Sequence, residues 1–147
     1  MKDFFNNDAK KAIMKTLNEA LSAQEKKFTF NSDLLSNENF NNHVELYQGY
    51  LSNFNKISAK LDTVDKSDVN CNHSDYRSLK IDETFNLNGV YLHELYFANI
   101  GDPHSEIKMD SLAYMRIARD FGSFDAWQKD FMACAAASQC GWAITYL

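Results

Sequence analysis

A single proline, Pro103, and only five glycines leave little that can interrupt a helix, which points to long helical elements. Positive charge is also scarce. The formal net charge is -5 and the pI about 5.3, so no basic surface for nucleic acid is expected. That balance does nothing to draw in an anionic substrate unless the local field is positive. No apolar run approaches the length of a membrane span, and the opening Met-Lys-Asp-Phe-Phe-Asn-Asn-Asp lacks the hydrophobic stretch of a secretory leader. No C-x-x-C pair occurs among Cys71, Cys134 and Cys140, which read as reduced thiols. There is no P-loop, dinucleotide fingerprint or nucleophile elbow, and no internal repeat. The expectation is a soluble cytoplasmic protein with no membrane and no nucleic-acid partner.

What is present is apolar and aromatic. With 45% hydrophobic and 14% aromatic residues the chain is not of a disordered type, and 147 residues can enclose a sizeable core. Ile13, Leu17 and Leu21 recur every four residues and predict a first amphipathic helix over about 8–26. Residues 28–35 alternate loosely and read as an extended connector. Ser36 is placed to cap a second helix running to about Asp62, with Phe40, Val44, Tyr47, Leu51, Phe54 and Leu61 on its apolar face. The polar, aperiodic stretch 62–75 reads as a loop.

A third helix is expected over 82–99. From Val90 to Ile100 it is apolar nearly all round, which predicts burial on every side. Gly89 within it costs about 1 kcal/mol against alanine, so a neighbour is expected to approach too closely for a side chain. Gly101-Asp102-Pro103 stops that helix. A fourth helix is expected over 109–121, halted by Gly122, and a fifth capped by Ser123, with Phe124, Trp127, Phe131 and Ala135 as its buried stripe. Gly141 is expected to end it, and residues 142–147 to form one strand whose edge has no partner in the chain.

His93 has the strongest claim to chemistry among the four histidines. An imidazole in an apolar helix needs a partner, because an unsatisfied buried polar group costs roughly 1–3 kcal/mol. A carbonyl, Tyr50 or a metal would serve. His43 shares one side of the second helix with Tyr47 and Tyr50, so two histidines on two helices are able to face each other. His73 and His104 fall in polar loops, and Asp102 and Asp125 read as a turn residue and a first-turn acid. Cys134, among alanines, is expected to be packed.

The segment Asn88-Gly89-Val90-Tyr91-Leu92-His93-Glu94-Leu95-Tyr96-Phe97, with Asp120-Phe121-Gly122-Ser123-Phe124-Asp125 and Gly141-Trp142-Ala143, resembles the iron/manganese superoxide dismutase family. The resemblance covers roughly residues 36–147 and leaves the first 27 residues unplaced. It implies a mainly α fold with a long antiparallel helical hairpin over 36–100; the helix and extended connector over 1–35 that precede it are read from the residue pattern alone. Residues 101–147 would begin the family's C-terminal α/β domain. The resemblance also implies iron or manganese as cofactor and superoxide as substrate, dismuted to oxygen and hydrogen peroxide.

By that resemblance His93 is the family's second ligand histidine, and Tyr96 and Phe97 its aromatic pair. Tyr50-Leu51-Ser52-Asn53-Phe54-Asn55 is similar to the Y-V-x-N-x-N segment, which makes Tyr50 the gateway tyrosine. The first ligand would be His43, although a strict register would put Asn42, a poor ligand, in its place. Gly89 matches the subgroup with glycine there. The family's D-x-W-E-H-A-Y stretch, source of the acidic and third histidine ligands, does not occur. The expectation is therefore a relative that is truncated, weakly active or inactive alone, completed by a homo-oligomer or by a missing C-terminal half. The alternative is a non-catalytic helical interaction protein that pairs with a partner through the strand over 142–147.

Overall fold

A computed structural model describes residues 21–30, 35–67, 69–100 and 106–146. The described residues are mainly α. They hold four helices: α1 (Asn37–Thr63), α2 (Asp75–Ile100), α3 (Leu112–Phe121) and α4 (Phe124–Ala137). None is long and apolar enough to cross a membrane.

α1 starts where the sequence places it. The Ser36 hydroxyl accepts the N–H of Asn39 at 3.1 Å, and Glu38 lies in the first turn, favourable to the helix dipole. Tyr47, Leu51, Phe54, Ser58 and Leu61, at offsets of three and four, form its buried stripe. Full burial of Phe54 alone contributes about 2–3 kcal/mol.

The connection to α2 is stapled by its own polar side chains. Asp65 accepts from the N–H and hydroxyl of Ser67, and the Asn70 side-chain oxygen Oδ1 accepts from the N–H groups of Asn72 and His73. The Ser74 hydroxyl then takes the N–H of Arg77 at 3.3 Å, so α2 begins at Asp75 rather than 82. That first part carries no apolar stripe. It is helical because it is capped and extends a helix anchored further on.

Partners along the two helices run in opposite order. Phe40 meets Phe97, His43 meets Tyr96 and His93, and Tyr50 meets Phe85. The pair is therefore antiparallel, as expected, with Tyr47, Leu51, Val90 and Phe97 at its centre. All-round burial of α2 is not observed. Tyr91 and Leu95 are exposed, because only one face of the helix meets α1.

A strap of chain without helix or strand, residues 21–30, lies along the hairpin. The Asn55 amide bonds both backbone groups of Ala23, at 2.9 and 3.0 Å, and Phe28 rests on Phe97 at 4.9 Å. The expected first helix is thus corrected over 21–26, which is not helical: the Ala23 N–H and carbonyl and the Lys26 N–H are taken by α1 side chains instead of by helical neighbours. Its residues 8–20 lie outside the described residues, as do Asp102, Pro103 and His104.

The chain divides into two compact units, residues 1–102 and 103–147. In the second, Ser111 and Ser123 cap α3 and α4, and Gly122 stops α3 with a φ of 82°. α3 begins at Leu112, three residues later than expected, because its cap is Ser111. Tyr114 stacks on Phe124 at 5.2 Å, and the row continues to Trp127 and Phe131. Those α4 side chains are half-buried, while Ala135 and Cys134 are exposed, contrary to the expected packing. α4 ends at Ala137, ahead of Gly141, in a turn closed by the Gly141 N–H to the Ser138 carbonyl. No strand forms among the described residues. Trp127 Nε1 donates to the Thr145 hydroxyl at 2.8 Å, so residues 142–146 are tied to α4 by a side chain and not by a ladder.

Candidate metal centre

His93 is buried on α2, 4% exposed, with Nδ1 2.7 Å from the Gly89 carbonyl one turn back. A carbonyl only accepts, so Nδ1 carries the proton and Nε2 the lone pair. Burial pushes the His93 pKa down, opposed by the Gly89 contact, and the nearby His43 pushes it further down. A neutral imidazole with its tautomer set by a carbonyl is the form in which histidine ligates metals.

α1 brings His43 to the same place. Its ring lies 5.8 Å from that of His93, at an interplanar angle of 50°, and 4.9 Å from Tyr96. His43 Nδ1 is buried and has no hydrogen-bond partner among the described residues. Two turns on, Tyr50 sits 5.4 Å from His93. Its ring covers Gly89 so closely that a Cβ there would come within 2.5 Å of Tyr50 Cγ and Cδ1. This is the close neighbour that a glycine in mid-helix predicts.

His43, Tyr50 and His93 are thus brought together, and Asn42 is not. Asn42 is exposed and lines a shallow groove with Glu45, Leu46, Gly49, Tyr50 and Asn53. His73 is exposed in the loop before α2, and Asp125 is exposed in the first turn of α4. Among the described residues no group of three or more histidine, cysteine, aspartate or glutamate side chains is arranged to hold a metal ion.

One network escaped the sequence reading. Tyr47, 1% exposed, donates its hydroxyl proton to Glu94 Oε1 at 3.2 Å and accepts the Lys26 N–H at 2.9 Å. Lys26 Nζ meets Glu94 Oε2 at 2.5 Å. Burial raises the Tyr47 pKa, and the hydrogen bond to Glu94 raises that of Lys26. The available signal was Glu94 itself, a lone carboxylate in an apolar stretch, which needs a partner as much as His93 does.

Over 123 residues the chain is 40% identical to the iron superoxide dismutase of Aquifex aeolicus, a match spanning 78% of this chain and 54% of that protein. It is 32% identical over 107 residues to the iron superoxide dismutase of Cupriavidus metallidurans, covering 71% of this chain and 52% of the relative. A manganese superoxide dismutase of Haloferax volcanii is 31% identical over 103 residues, 69% of this chain and 49% of the relative. The relatives are superoxide dismutases of the iron and manganese kinds. The chain spans about half the length of these superoxide dismutases. No family model matches the chain, and no solved structure matches it.

Proposed function

We propose that this chain provides the helical-hairpin part of a superoxide dismutase metal site, with His43 and His93 as two imidazole ligands and Tyr50 beside them. The observation that carries the reading is the convergence of the two rings from separate helices, with the His93 tautomer set by Gly89. The buried Nδ1 of His43, without a partner among the described residues, supports it, since such an atom is costly unless another group satisfies it. The residues present fit part of a site. Two nitrogen donors hold iron or manganese weakly, and hard oxygen ligation is a large part of affinity at the manganese end of the divalent series. Further donors would come from polypeptide other than the described residues.

Bound iron or manganese would supply one-electron chemistry, taking an electron from one superoxide and passing one to the next. The chain's own residues have simpler tasks. α2 presents His93 neutral, in a fixed tautomer. α1 presents His43 opposite it. The Tyr50 ring shields Gly89 and His93 from water and, by this reading, its phenol controls access and supports proton delivery.

Metal titration tests the reading. The chain alone should bind Fe(II) or Mn(II) weakly and dismute superoxide little, and His43→Ala or His93→Ala should remove the residual binding. A polypeptide carrying a D-x-W-E-H-A-Y stretch should strengthen binding when mixed with it. Stoichiometric binding that survives loss of both histidines would sink the assignment.

A further inference from the structure

Two helices that meet through an apolar seam adhere without a unique alignment. A slide of one turn exchanges one set of apolar contacts for a similar set, and a directional polar contact inside the seam is what singles out one register. α1 and α2 meet through Leu51, Val90 and Phe97, and beside them Tyr47 makes a polar contact across the seam with Glu94. One phenol joins three segments: it belongs to α1, donates to Glu94 of α2 and accepts the Lys26 N–H of the strap. The strap is itself fastened to α1 by the two Asn55–Ala23 bonds and by Gln48 Nε2 donating to Glu25 at 2.8 Å. Lys26 Nζ then reaches over to the second oxygen of Glu94.

The positions of these groups matter. Tyr47 follows His43 by one helical turn, and Glu94 directly follows His93. A rotation or slide that breaks the Tyr47–Glu94 bond therefore also moves the two imidazoles apart.

We infer that Tyr47 is a positioning residue: its hydroxyl, held between Lys26 and Glu94, sets the register of α1 on α2 in which His43 faces His93. The inference deepens the proposed metal-site reading and rests on it for functional meaning.

The test uses the full chain without metal. Ring-proton NOEs between His43 and His93 are measured on histidine-labelled protein, with thermal melting alongside. The parent should show an inter-imidazole NOE. Tyr47→Phe keeps the buried ring and deletes the hydroxyl, and the NOE should fall several-fold or vanish while helical circular dichroism persists. Glu94→Gln retains an oxygen that accepts from the phenol and should keep the NOE; Glu94→Leu should lose it. If Tyr47→Phe does not fold, the two Glu94 variants carry the comparison. An undiminished NOE in folded Tyr47→Phe or Glu94→Leu overturns the inference, as does a loss in Glu94→Gln equal to that in Glu94→Leu. A tyrosine that merely stabilises the fold would lower the melting temperature and leave the NOE of the folded protein unchanged. Since no metal is added, failure of the metal-site reading leaves this outcome untouched.

Discussion

At Gly89 two effects of opposite sign meet in one residue. Alanine there would gain about 1 kcal/mol of helix propensity. Its Cβ would also stand 2.5 Å from the Tyr50 ring, and overpacking of this kind costs about 1–3 kcal/mol. The steric effect should win, so Gly89→Ala should lower the urea midpoint, and adding Tyr50→Val should recover most of the loss. A Gly89→Ala chain more stable than the parent would show that the ring does not sit there. His93 gives a second prediction, for metal-free protein. Its folded pKa is lowered by burial, so above the unfolded value of about 6.5 both states are neutral. Below that value the unfolded chain binds a proton first. Stability is full above about pH 6.5 and falls as the pH drops toward and through the folded pKa. Urea midpoints at pH 7.5 and 5.5 should show this decline, and His93→Gln should flatten it.

At the scale of elements, the strap is the part that depends on borrowed partners. Asn55→Ala removes both bonds to Ala23, a loss of about 1–3 kcal/mol if the exposed groups are not rehydrated. Amide exchange at Ala23 and Lys26 should accelerate while exchange in the centre of α1 stays slow; unchanged exchange at Ala23 would deny the strap its role. The same dependence explains why residues 21–26 read as helix. Leu21 completes a four-residue repeat, a local signal, whereas the Asn55 and Tyr47 contacts join residues 21 to 32 positions apart. Signals carried by single residues or a few neighbours were legible: the Ser36 cap, the Gly122 stop and the close approach at Gly89 all came through. The start of α2 did not, because Asp75–Lys80 lacks an apolar stripe and relies on Ser74. For the candidate site, His43 with His93 was visible as two histidines on two helix faces. The partner of Glu94 was not, since nothing near it in sequence announces Tyr47 or Lys26.

At the scale of the whole molecule, many large apolar side chains of the described residues stand exposed. Leu46, Ile81, Phe85, Tyr91 and Leu95 are all more than half exposed in the first unit, as are Met109, Leu112, Met115 and Met132 in the second. Surface of this extent promotes association. Sedimentation velocity should show a mass that grows with concentration in the micromolar range, and a clean monomer across that range would count against it. The division into units also segregates the chromophores. Both tryptophans, Trp127 and Trp142, fall in residues 103–147, whereas five of the seven tyrosines, Tyr47, Tyr50, Tyr76, Tyr91 and Tyr96, fall in residues 1–102. Indole emission therefore arises from α4 and its tail, whereas the hairpin that carries His43 and His93 has phenols and no indole. An unfolding curve followed at indole wavelengths starts from side chains of one unit, and phenol absorbance supplies a second reading weighted toward the other.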